Sequence, residues 1–215
     1  VGVGVMGGTI YAVGGHDGSR IVSTAEKYAP GERTWSLVAP MNTPRYGHGV
    51  AVLGSYMYAV GGWDGTTTLS TVARYDAELD SWIMVSSMHT AREGISVVSF
   101  GRYLYAIGGC DGSTFLATVE KYDPDTDRWS LVAAMSTARF YPAAVAFGGY
   151  IYVMGGHDRI QHLSTVERYD PAADKWSPVA SMSVARYGCA AVAVREYIYV
   201  IGGYTSDHEY TSQQI

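Results

Sequence analysis

Short apolar or alternating stretches, each four to six residues long, are separated by polar turns along almost the whole chain. Between Arg45 and Ala91, Gly49-Val50-Ala51-Val52-Leu53 is small and apolar and ends at the turn Gly54-Ser55. Tyr56-Met57-Tyr58-Ala59-Val60 follows and stops at Gly61-Gly62. A polar loop, Trp63 to Thr68, leads to Thr71-Val72-Ala73-Arg74-Tyr75, which alternates as a half-buried strand does. After the polar turn Asp76 to Ser81 comes Trp82-Ile83-Met84-Val85. Runs of this length, bounded by Gly, Asp and Ser, predict four strands in an antiparallel meander. No window sustains a 3.6-residue apolar period, so almost no helix is expected.

The meander is copied. Adjacent glycines recur every 47 residues, at Gly14-Gly15, Gly61-Gly62, Gly108-Gly109, Gly155-Gly156 and Gly202-Gly203. A tyrosine precedes each doublet (Tyr11, Tyr58, Tyr105, Tyr152, Tyr199), and a second tyrosine, a tryptophan, a methionine and an arginine keep the same register. A fixed period of this length marks one supersecondary unit in tandem. A lone four-stranded sheet cannot bury both faces, but sheets stacked around an axis can, so an all-β propeller is expected. The small first strands would crowd the axis, and the large Tyr and Trp would fill the widening gap between blades. The glycine doublets suit points where backbones approach too closely for a Cβ. The units run at about 1–44, 45–91, 92–138 and 139–185, with a partial fifth at 186–204 holding two strands and an off-pattern tail at 205–215. That count, four complete blades and part of another, is expected of a piece of a larger ring.

Composition narrows the function. The net charge of −5 is dispersed, without the clustered Lys and Arg a nucleic-acid surface needs. No apolar run approaches the ~18 residues of a membrane span. Cys110 and Cys189 stand at different repeat positions, which reads as free thiols in a reducing compartment, cytoplasm or nucleus.

The order Arg, apolar strand, Tyr-x-x-Gly-Gly, then Ala117-Thr-Val-Glu-Lys-Tyr-Asp-Pro124 or Ser164-Thr-Val-Glu-Arg-Tyr-Asp-Pro171, then Trp and Met, resembles the kelch repeat over residues 1–204. WD40 fits poorly, since Trp63-Asp64 is the single Trp-Asp pair and sits in a loop. The sharp repeat looks most like the kelch domain of BTB–kelch proteins, whose rings usually have six blades. The resemblance implies a propeller that recruits a protein substrate for a cullin-3 ubiquitin ligase, with a separate BTB–BACK region contacting cullin-3. The alternative it implies is an actin-associated kelch protein using outer blade surfaces.

Residues that repeat in every blade are explained by packing, so function is expected where the blades differ. After each doublet stand His16, Trp63, Cys110, His157 and Tyr204; after each arginine stand Tyr46, Glu93, Phe140 and Tyr187. The resemblance places both sets at the pocket where a degron peptide binds, bordered by Arg45, Arg92, Arg139 and Arg186. Structural tying of the blade end is the other reading of those arginines. Arg20, Phe115, Arg159, Gln161 and His162 lie in the loops between second and third strands, and Arg159 replaces the glycine of its siblings' x-Asp-Gly. Aromatics with a few arginines suit a protein-binding hot spot and an acidic segment, although Glu93 opposes that in its quadrant. His16, His48, His89, His157, His162 and His208 form no zinc pattern with the cysteines, and no nucleophile–base set or phosphate loop emerges. No metal, cofactor or catalysis is expected.

Overall fold

A computed structural model describes residues 1–205 and the strand 212–214. Its first sheet holds β1 (Gly2–Met6), β2 (Thr9–His16), β3 (Ile21–Ala29) and β4 (Thr34–Val38). The second holds β5 (Gly49–Leu53), β6 (Tyr56–Val60), β7 (Val72–Asp76) and β8 (Ser81–Val85). The third holds β9 (Ser96–Phe100), β10 (Tyr103–Ile107), β11 (Val119–Asp123) and β12 (Arg128–Val132). The fourth holds β13 (Ala143–Phe147), β14 (Tyr150–Met154), β15 (Val166–Asp170) and β16 (Lys175–Val179). The last holds β17 (Ala190–Val194), β18 (Tyr197–Ile201) and β19 (Ser212–Gln214).

Each sheet is a meander of neighbouring antiparallel strands. No helix occurs among the described residues. The third and fourth strands of the second unit lie within one residue of the sequence-based bounds. The fifth unit differs from expectation, because a third strand, β19, pairs with β18 through Tyr199↔Gln214, Val200↔Gln213 and Ile201↔Ser212. That segment lacks the Tyr-Asp-Pro and Trp landmarks, so pattern alone gave no strand there. His208 lies outside the described residues.

The sheets stack as blades. The inner strands β1, β5, β9, β13 and β17 pack each against the next. Between blades one interface is repeated three times. Tyr11, Tyr58 and Tyr105 of one blade meet Tyr75, Tyr122 and Tyr169 of the following blade, rings 5.8–5.9 Å apart. The tryptophans Trp82, Trp129 and Trp176 pack on those second tyrosines and donate Nε1–H to the carbonyls of Ala39, Ser86 and Ala133 in the preceding blade, at 2.8–2.9 Å. Asp80, Asp127 and Asp174 accept the N–H of the same three residues at 2.9 Å and the hydroxyl of their own blade's tyrosine. The aromatic payload therefore fills the gap between blades, and the polar ends of the tryptophans and second tyrosines are satisfied. Arg33 takes the aspartate's place in the first unit, and Trp35 there is 48% exposed.

The arginine that opens each unit joins blades as well. Gly15, Gly62, Gly109 and Gly156 donate N–H to the carbonyls of Arg45, Arg92, Arg139 and Arg186 in the next unit, at 2.7–2.8 Å. The doublet glycines have φ near +60° and +100°, and a Cβ at Gly62 would stand 2.9 Å from the Tyr46 carbonyl. Here glycine is required by backbone sign and by space together.

Candidate functional site

The four arginines expected to border a binding pocket do not do so. Arg45, Arg92, Arg139 and Arg186 are each 0% exposed. Arg92 donates to the carbonyls of Gly108 and Thr118, to the Thr118 hydroxyl and to both sides of a fork with Glu120 Oε1. Arg139 bonds Gly155 and Thr165 in the same way and reaches Glu167 through Nη2 alone. Arg45 bonds Gly61 and Thr71, but Ala73 stands where a glutamate would be. Burial pushes the Arg45 guanidinium down to about 10, with Asp64 partly opposing, so it stays charged at neutral pH. Arg186 bonds the Gly202 carbonyl at 2.7 Å. These side chains are spent on the free carbonyls at the strand ends, so they are scaffold and cannot receive a ligand's carboxylate.

The residues that vary are brought together. Tyr46 pairs with Trp63 and Trp63 with Thr68; Glu93 pairs with Cys110 and Cys110 with Phe115; Phe140 pairs with His157 and His157 with His162; Tyr187 pairs with Tyr204. Each set is a short rung of isolated antiparallel bridges just beyond the blade's strands. The loops carrying the outer members are shaped by Asp64, Asp111 and Asp158, which accept two loop N–H groups each at 2.7–2.9 Å. Those backbone donors hold the three carboxyls below the usual carboxylate range. Asp17 does the same for the first loop, where the exposed Arg20 lies 3.6 Å from it. Gln161 contributes a carbonyl that accepts the Asp158 N–H.

Side chains connect the rungs from blade to blade. Phe115 stacks on Phe140 at 4.7 Å, His162 meets Tyr187 at 4.8 Å, and Tyr187 stacks on Tyr204 at 5.3 Å. His157 contacts Phe115, His162 and Tyr187, while His16 meets Tyr46 edge-on. The Arg159 guanidinium lies over the Phe115 ring at 5.0 Å. His16, Tyr46, Arg159 and Tyr204 are exposed, and Phe115, Phe140, His157, His162 and Tyr187 are half-buried. Of the twelve residues expected at the site, the eight besides the arginines gather on this rim.

One rim residue escaped the sequence reading. The second position after each arginine is Gly47, Gly94, Tyr141 and Gly188, all with positive φ: 63°, 59°, 49° and 64°. They bond in series from blade to blade, Gly94 N–H to the Gly47 carbonyl, Tyr141 N–H to Gly94 and Gly188 N–H to Tyr141, at 2.7–2.9 Å. Tyr141 is the side chain where the other copies have none. Its hydroxyl reaches back to the second unit, 2.7 Å from where a Cβ of Gly47 would stand. Burial raises its pKa first, then the neighbouring Tyr46 hydroxyl, with Glu93 and Tyr187 adding. The signal was legible as a broken Arg-x-Gly, in the way Arg159 breaks x-Asp-Gly.

Other chemistry is thin. Burial raises the Cys110 thiol, and pushes Cys189 up to about 11, so neither is an activated nucleophile. His16 and His157 use Nδ1 to accept the N–H of Gly18 and Arg159. No three His, Cys, Asp or Glu side chains are grouped to hold a metal among the described residues.

A family model described as the KLHDC2/KLHL20/DRC7 Kelch-repeats domain matches residues 3–203. The chain belongs to the kelch-repeat family. Among curated protein sequences none matches. Of solved structures, that of YjhT superposes with a TM-score of 0.87 over 99% of this chain and 79% of the other, at 14% identity, a likeness of fold alone. A kelch domain of this kind is a protein-interaction module, which agrees with a rim rich in aromatics and poor in reactive groups.

Proposed function

We propose that this kelch domain captures an extended peptide segment of a partner protein on the aromatic rim, without chemistry of its own, as the substrate-recognition part of a cullin-3 ubiquitin-ligase adaptor. The observation that carries the reading is the belt from Phe115 through Phe140, His157, His162 and Tyr187 to Tyr204. Large rings fixed by their neighbours give contact area at little entropic cost, as binding hot spots require. The ligase role follows from resemblance to BTB–kelch proteins, and any contact with cullin-3 belongs to a BTB region outside these residues. The setting is cytoplasm or nucleus.

A second surface supports the cytoskeletal alternative. The outer strands repeat an exposed apolar position, Leu37 at 73%, Met84 at 44% and Leu131 at 62%. The deciding experiment is affinity capture from lysate with the native chain and with Tyr46→Ala/Tyr187→Ala, checked for an unchanged melting transition. Partners lost in the variant support rim capture. F-actin co-sedimenting equally with both proteins would move the function to the blade edges.

A further inference from the structure

We infer that the segment held at the rim presents a basic side chain, lysine or arginine, to Glu93. This rests on the rim reading above and names the chemistry of its ligand.

Glu93 is the rim's uncommitted acid. Asp17, Asp64, Asp111 and Asp158 are occupied with loop amides, whereas Glu93 bonds Cys110 through its backbone alone and no hydrogen bond or ion pair within 4.0 Å engages its carboxylate among the described residues. It is half-buried, and burial alone pushes its carboxyl up. The arginines on either side of it in the repeat, Arg92 and Arg139, turn inward to Glu120 and Glu167. Arg159 is spent over Phe115. A partly desolvated carboxylate without a counter-charge costs free energy that an incoming cation would recover.

The surroundings suit the same ligand. Gly94, next in the chain, is bonded to Gly47 and lies against the Phe140 ring. Tyr141 stands close enough for Glu93 and Tyr187 to raise its pKa. Aromatic faces attract cations. An acid near Tyr141, whose hydroxyl also neighbours Tyr46 and Tyr187, therefore complements a basic side chain and repels a carboxylate. The expectation of an acidic segment rested on four arginines that are in fact inside.

The test is to pan a phage-displayed random dodecapeptide library on the chain. Enriched peptides are then measured by fluorescence polarisation against the native protein, Glu93→Gln and Tyr46→Ala/Tyr187→Ala. Enriched sequences should share a Lys or Arg whose replacement by norleucine weakens binding roughly tenfold, and Glu93→Gln should weaken the parent by as much. The two changes together should cost little more than either alone. Peptides that need Tyr46 and Tyr187 but are acidic, or ignore Glu93→Gln, would overturn the basic-ligand inference and leave rim capture standing. Peptides indifferent to Tyr46→Ala/Tyr187→Ala, or no enrichment at all, would overturn rim capture and the inference with it.

Discussion

Arg92 and Glu93 are neighbours in the chain and belong to two different regions of the molecule. Arg92 points into the blade, where every one of its copies bonds a doublet glycine carbonyl and Arg45 and Arg139 bond a threonine carbonyl as well. Glu93 points to the rim, where its copies are Tyr46, Phe140 and Tyr187. Inside a repeat, sameness is enforced because each blade must close against an identical next blade, and a charge is tolerated there only when carbonyls or a carboxylate engage it. On the rim nothing enforces sameness, so residues there are free to suit a ligand. The contrast corrects a tempting inference: a constant arginine beside variable aromatics is not thereby part of the same surface.

The sharpest way to break this contrast is to remove the inner charge. Arg92→Met leaves Glu120 buried with His89 and two backbone N–H groups but without its cation. Loss of one partner of a buried pair costs about 3–5 kcal/mol. Arg45→Met strands no carboxylate, because Ala73 stands in that place, and should cost about 1–2 kcal/mol through lost hydrogen bonds. Urea unfolding of both variants measures the difference. Equal losses would mean that the ion pair adds nothing beyond the carbonyl bonds all four arginines share.

A milder perturbation uses pH. His48 occupies the position of Ile95, Pro142 and Cys189, is 7% exposed, and has no well-aligned partner on either ring nitrogen. Burial first, with Arg45 adding to it, pushes its pKa down to about 3 from 6.5. The folded protein thus binds fewer protons than the unfolded chain between those values. Stability from this group is complete above pH 6.5 and falls as pH drops below it, by about 1.4 kcal/mol per pH unit. His48→Ile should flatten the stability profile between pH 6.5 and about 5, above the range of ordinary carboxylates. An unchanged profile would show that His48 reaches solvent when protonated.

How much of this could be read from the chain follows the same division. The strands, the doublets and the Trp between blades were legible because each is stated four or five times and has one physical use. Which way Arg45, Arg92, Arg139 and Arg186 turn was not, since residue type and spacing do not report side-chain direction at a strand's entry. Tyr141 is harder to read than the positions that vary in every unit, because its position is glycine in the other three copies and departs only once. β19 was missed because its residues carry none of the landmarks, and backbone pairing with β18 needs none.

Arg159 offers the smallest effect and the most telling sign. Its siblings Gly18, Gly65 and Gly112 have φ of 101°, 105° and 98° in their loops, and Arg159 holds φ 82° with a full side chain. A left-handed non-glycine residue costs roughly 1–2 kcal/mol, and its stacking on Phe115 returns about 0.5–1 kcal/mol at an exposed site. Arg159→Gly should therefore leave the domain as stable or up to about 1.5 kcal/mol more stable. A residue retained against local strain is one whose use lies outside the fold. If the variant melts later yet binds rim peptides more weakly, Arg159 is a ligand contact on the Phe115 side, opposite in charge to Glu93, and would fix the direction in which the peptide lies. If stability and binding fall together, Arg159 is a brace for Phe115, and the rim's inner members carry recognition by themselves.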